Sequence, residues 1–175
     1  LLLRAAKQLG EEHKIDYLSV SFGFTPLLNA FWQKNEFQLL RVGYHKDAAS
    51  GAQSAIMVHT LNPQLSLSIQ QAHQQNLQHF IFGLNTVYRT LDIDTTLEVV
   101  HSLALPVNAQ SACEIDMIEA FAHHYRSFED CAQILFTFVL NSFSLGLMKS
   151  LSNEEQRLIC LRVLKGENIT HCCQQ

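Results

Sequence analysis

Apolar residues at Leu2, Leu3, Ala6 and Leu9 fall on one stripe of a helix, which predicts a helix over 1–14. The next run, 15–21, alternates in part with a period of two and predicts a strand. Phe22-Gly23-Phe24-Thr25 reads as a loop. Pro26 suits the first turn of a following helix over 26–35, where its missing N–H costs nothing. That helix carries Leu27, Leu28, Phe31 and Trp32. Two more strands are expected over 37–42 and 52–59, joined by a polar loop over 43–51. The first sixty residues therefore read as helix, strand, helix, strand, strand.

The pattern changes at Leu61-Asn62-Pro63, and no further strand signal follows. Residues 64–82 form a Gln- and His-rich helical run with Leu65, Leu67, Ile69, Ala72, Leu77 and Phe80 as its apolar positions. Four pairs have capping-box spacing: Thr95 with Glu98, Ser111 with Glu114, Ser127 with Asp130, and Ser152 with Glu155. Gly166 stands where the C-terminal cap of a helix over 152–165 would fall. The expected fold class is α+β, with one domain over 1–61 and an all-helical tail over 62–175.

Composition sharpens this picture. The chain has 175 residues, of which 47% are hydrophobic, so a substantial core is expected. Only 7 Gly and 3 Pro favour helices over a turn-dense all-β fold. The net charge of −4 advertises no strong field for nucleic acid, although a local patch can supply one. The most apolar stretch, 134–140, is too short to span a bilayer, so no membrane contact is expected. Five cysteines without regular spacing suit a reducing cytoplasm, and a cytoplasmic location is expected. Cys113, His123, His124 and Cys131 lack the paired spacing of a zinc site, so no metal is predicted. Leu1 opens directly into the amphipathic pattern, which reads as a piece of a longer protein.

Several strings between residues 16 and 57 carry a family likeness. They are Asp16-Tyr17-Leu18-Ser19-Val20-Ser21-Phe22-Gly23, then Phe31-Trp32-Gln33, Phe37, Arg41-Val42-Gly43 and Ala49-Ser50-Gly51. In this order they resemble the GNAT-type acetyltransferases, and within that group the bacterial tRNA(Met) cytidine acetyltransferases. The resemblance implies the C-terminal half of a GNAT-like mixed sheet with flanking helices, followed by a helical tail that helps to hold tRNA. It implies acetyl-CoA as cofactor, with a site left incomplete because the pyrophosphate loop would precede Leu1. It also implies ATP or GTP, with Mg, used by N-terminal modules of the same polypeptide. The implied reaction moves acetyl to the exocyclic amine of the wobble cytidine of elongator tRNA(Met).

Site residues follow from that resemblance. Phe22, Gly23, Thr25, Leu27, Trp32 and Lys34 are the cofactor-side candidates. At Leu27 the family usually carries an acidic residue, at Lys34 an Arg, and at Glu36 a Gly. Many GNAT enzymes use a Tyr where Trp32 stands, and an indole does not deliver a proton. Phe22, Phe24, Phe31 and Trp32 read equally as core aromatics. His45, beside Lys46 and Asp47, is the candidate general base, with a plain surface histidine as the competing reading. Arg41 and Lys46 are candidates for RNA phosphate contacts, as are Arg157, Arg162 and Lys165 in the tail.

The chain by itself is expected to be inactive. The alternative reading is a non-catalytic RNA- or protein-binding module with a decayed acetyltransferase remnant. A GNAT enzyme acting on a small amine or a protein is a third reading, which the helical tail argues against.

Overall fold

The strands expected in the first sixty residues form one antiparallel sheet. β1 (Tyr17–Gly23) and β2 (Gln38–Lys46) each pair with β3 (Gln53–Thr60), which lies between them. A computed structural model describes residues 2–46, 51–102 and 109–172. The chain divides into two compact units, Leu1–Gly83 and Leu84–Gln175.

In the first unit the sheet is covered on both faces. Val20, Met57 and Leu39 lie in register across the three strands, as do Phe22, Ala55 and Val42. Leu39, Val42, Ala55 and Met57 from these rows are buried. On this face α1 (Leu2–Glu12) approaches closely at Gly10, where a Cβ would run into Leu61 and touch Leu18. On the same face α2 (Pro26–Lys34) packs against β2. Its N-cap is Thr25, whose Oγ1 accepts the Leu28 N–H at 3.3 Å, and Pro26 takes the first turn as expected.

The opposite sheet face carries Tyr17, Ser19, Ile56 and Val58. There α3 (Ser66–Gly83) covers part of the sheet and leaves an apolar cleft of about 400 Å³. The expected boundary near Asn62 marks the end of the sheet, but the compact unit continues to Gly83. The reason is that α3 folds back on β2, where the His73 ring bonds the Leu39 carbonyl and Leu77 and Phe80 are buried.

Helices are the regular elements of the second unit among its described residues. It contains α4 (Ile93–His101), α5 (Ala112–Ala122), α6 (Phe128–Ser144), α7 (Asn153–Ile159) and the short α8 (Ile169–Cys172). Val99, Val100, Leu135, Phe143, Leu161 and Leu164 are among its buried residues. Ser111 and Ser152 form complete capping boxes with Glu114 and Glu155, and Ser127 caps α6. The Thr95–Glu98 pair does not cap a helix. Asp92 is the N-cap of α4 and accepts the Thr95 N–H, because Ile93 already lies within the helix.

The helix expected over 152–165 is regular only to Ile159. It continues as a π turn, Cys160–Leu164, and Gly166 follows at φ +67°, where a side chain is disfavoured. Among the described residues no helix is long and apolar enough to cross a membrane. The fold is α+β: a three-stranded antiparallel sheet with flanking helices, followed by a helical tail.

Candidate functional site

The outer edge of β1 is the first element of the site. Phe24 donates its N–H to the Gln53 carbonyl at 2.7 Å, and the Asp16 carbonyl accepts the Leu61 N–H at 3.0 Å. Hydrogen-bonding direction alternates along an antiparallel strand, so even-numbered residues of β1 face β3. The N–H and C=O groups of Tyr17, Ser19, Ser21 and Gly23 point the other way. Among the described residues no strand pairs with that edge.

Beyond the end of β1, α2 presents an aromatic cluster. Trp32 lies 4.9 Å from Phe37, 5.1 Å from Phe31 and 6.2 Å from Phe22, measured between ring centroids. Trp32 thus joins α2 to β1 and to the start of β2. Leu2, Leu3 and Ala6 of α1 join Phe31, Trp32 and Asn35 of α2 around a cleft of about 640 Å³. Leu27 is 81% exposed and Lys34 is exposed in the last turn of α2. Thr25 is engaged as the helix cap, and Phe22 and Gly23 are the last residues of β1 rather than part of a loop.

Glu36 ends this segment with φ +69°, in the left-handed region that favours glycine. Three contacts hold it there. Lys7 of α1 donates to its carboxylate at 2.7 Å and to the Asn35 carbonyl at 2.9 Å. The His59 ring bonds the Glu36 carbonyl at 3.0 Å and lies against Phe37. Lys7 holds the Glu36 carboxyl below its ordinary range, first through the hydrogen bond and then through its charge, with a smaller contribution from His59.

The third element is the far end of the β2–β3 hairpin. The polar loop expected from Gly43 begins later, because β2 continues through Tyr44 and His45 to Lys46. Residues 47–50, which include Asp47, Ala49 and Ser50, lie outside the described residues. Lys46 pairs with Gln53, whose carbonyl binds Phe24 on the other side. His45 and Lys46 therefore stand at the same end of the sheet as Gly23 and Thr25. Two strand spacings separate them, about 10 Å. Arg41, Tyr44, His45 and Lys46 are all exposed. Tyr44, His59, Lys7 and His73 carry geometry that the sequence pattern did not single out.

In the helical unit the expected RNA contacts have other partners. Lys165 is only 4% exposed, and its ammonium donates to the Leu91 carbonyl. Burial pushes the Lys165 amine down, opposed by Cys160, Glu167 and Asp92. The Lys165 side chain, expected as an RNA contact, is held inside the helical unit. Arg157 pairs with Asp94 of α4. Arg162 stacks 3.9 Å above Phe128 and donates to the Glu167 carbonyl at 3.0 Å. Arg89 grips the Glu167 carboxylate at 3.0 and 3.2 Å. Cys131 and Cys160 are fully buried in apolar helix positions, and burial raises the Cys160 thiol to about 12.

An antiparallel sheet with an open β1 edge is thus followed by an aromatic helix across its end. Residues 1–62 match the family model described as GNAT acetyltransferase 2. The particular relatives are bacterial tRNA(Met) cytidine acetyltransferases named TmcA. That of Vibrio cholerae serotype O1 is 29% identical over 165 residues, covering 94% of this chain and 22% of the relative. That of Haemophilus ducreyi is 32% identical over 120 residues, 67% of this chain and 18% of the relative. That of Pectobacterium atrosepticum is 46% identical over 65 residues, 37% of this chain and 9% of the relative. The chain thus spans about a fifth of the length of the Vibrio relative it matches along most of its own length.

Proposed function

We propose that this chain is the C-terminal part of an RNA acetyltransferase that moves acetyl from acetyl-CoA to the exocyclic amine of a cytidine in tRNA(Met). The observation that carries this reading is the open edge of β1 at the aromatic end of α2. Backbone groups of Tyr17, Ser19, Ser21 and Gly23 suit an extended amide chain laid alongside as an added strand. The pantetheine arm of acetyl-CoA has that form, and the cofactor supplies an activated acyl thioester. Phe22 and Trp32 would exclude water from the reacting end, and Lys34 would neutralise phosphate as a point charge.

His45 is the proton acceptor of this reading, since it is exposed at the same end of the sheet. Arg41 and Lys46 would contact the RNA, Lys46 through a phosphate. The relatives' printed name supports a cytidine of tRNA(Met) as the substrate; we place it at the wobble position and would give ATP or GTP use to other parts of a longer protein. A cytoplasmic setting goes with that substrate.

The test is an assay of the full-length protein with tRNA(Met) transcript, acetyl-CoA and ATP, read as acetylcytidine by nucleoside mass spectrometry. Acetylcytidine formation that falls at least tenfold in His45→Ala supports the reading. A protein that binds tRNA(Met) and forms no acetylcytidine overturns it. That outcome would favour the second reading, a binding module without chemistry, to which the solvent-exposed Leu27 in place of a carboxylate also points.

A further inference from the structure

The end of β2 contains an irregularity that brings three planar side chains together. Val42 pairs with Ala55 and Lys46 with Gln53, so three residues of β2 oppose the single Ser54 of β3. Such a bulge re-aims side chains that would otherwise alternate between faces. Gly43 permits it, since a Cβ there would overlap the Ser54 hydroxyl. Tyr44 and His45, neighbours in sequence, then place their ring centroids only 4.3 Å apart. The Arg41 guanidinium lies 6.0 Å from the Tyr44 ring centre. Tyr44 is 48% exposed, and Lys46 follows with an exposed ammonium.

We infer that Arg41, Tyr44 and His45 form a stacking platform for an unpaired nucleobase, with Lys46 beside it for the phosphate. This inference rests on the RNA-modifying reading above and adds Tyr44 as a substrate-positioning residue. Aromatic and guanidinium planes accept the face of any base, and an adjacent cation takes the backbone charge. A buried tyrosine would serve the core, but this ring shows about half its surface to solvent. Chemistry on a base requires the base to leave its stack, so a surface that restacks it at the reacting end of the sheet supplies a need of the reaction.

Charge places the nucleic acid on this unit rather than on the helical one. The segment 84–175 holds eleven Asp or Glu against six Lys or Arg, and Arg89, Arg157, Arg162 and Lys165 of those six are bound internally. The segment 1–83 has six Lys or Arg against five acidic residues.

The test uses two fluorescein-labelled probes with the chain of 175 residues, hexacytidylate RNA and an abasic hexamer of the same charge. Tyr44→Ala should weaken hexacytidylate binding about tenfold and leave the abasic probe unchanged. Tyr44→Phe should bind hexacytidylate within about twofold of the parent, and circular-dichroism melting should show both variants folded. Equal binding of the two probes by the parent, equal losses of both in Tyr44→Ala, or no binding of either overturns the platform. The last result would mark this surface for a protein partner.

Acetylcytidine formation by the full-length protein separates this inference from the reading it rests on. Base-dependent binding without acetyl transfer removes the enzymatic reading alone. Acetyl transfer with an unimpaired Tyr44→Ala variant removes the platform alone.

Discussion

Lys7 Nζ stands 2.7 Å from Glu36 Oε2 and 2.9 Å from the Asn35 carbonyl. One cation of α1 therefore holds the turn that follows α2, twenty-nine residues away in sequence. The pair ties together the two helices that border the aromatic cleft. It also explains how a glutamate persists at φ +69°, where a Cβ is disfavoured.

Glu36→Gly and Glu36→Ala should differ in sign. Alanine keeps the left-handed strain and loses the Lys7 partner, so it should lower Tm by about 2–4 °C. Glycine removes the strain and should melt at or above the parent temperature. Differential scanning calorimetry of the two variants makes the comparison. Equal losses in both would mean that the backbone conformation is not what Lys7 and His59 sustain.

Lys165 should behave as a strut and not as an RNA contact. Lys165→Ala leaves the buried Leu91 carbonyl without this donor and should destabilise the helical unit by roughly 1–3 kcal/mol. The salt dependence of RNA binding should not change. Lys46→Ala, by contrast, should reduce the slope of log K against log salt by about one. A Lys165→Ala variant that melts normally but binds RNA more weakly would refute this assignment.

Acid should weaken the fold through three carboxylates. Glu36 is held below its ordinary range by Lys7, and Glu114 and Glu155 by the backbone N–H groups and hydroxyls of Ser111 and Ser152. Each folded pKa lies below its unfolded value. The stabilisation is therefore present above the ordinary value of 4.5 and is lost as pH falls through the folded value. Urea midpoints should fall between pH 5 and 3, a range set by ordinary carboxylate titration, about pH 4. Ser152→Ala should cost about 1 kcal/mol at pH 7 and flatten that decline. A decline as steep in Ser152→Ala as in the parent would remove Glu155 from the account.

Local patterns carried much of the architecture. The runs expected as strands over 15–21, 37–42 and 52–59 located all three strands, and Pro26 located the start of α2. The serine–glutamate spacings at Ser111 and Ser152 marked true caps, because a cap is satisfied within four residues. Thr95 shows the limit of that signal. Its spacing to Glu98 is correct, but Asp92 competes three residues earlier and starts α4 first.

What the amino-acid sequence determined by itself is the order of elements in the first sixty residues, the helical nature of the rest and the resemblance of residues 16–57 to GNAT-type acetyltransferases. These depend on periodicity, capping and short strings, all of which are local. The tertiary structure alone decided which cations face solvent and where aromatic rings meet. A regular helix count over 152–165 does not anticipate the π turn at Cys160–Leu164, which changes the phase of the last residues and turns Lys165 inward. Strand alternation likewise sends Tyr44 and His45 to opposite faces, until the pairing of β2 with β3 inserts the bulge that brings their rings together. The bulge is set by how β2 pairs with β3, and the inward course of Lys165 by its bond to the Leu91 carbonyl, seventy-four residues away; neither contact is written in the local pattern.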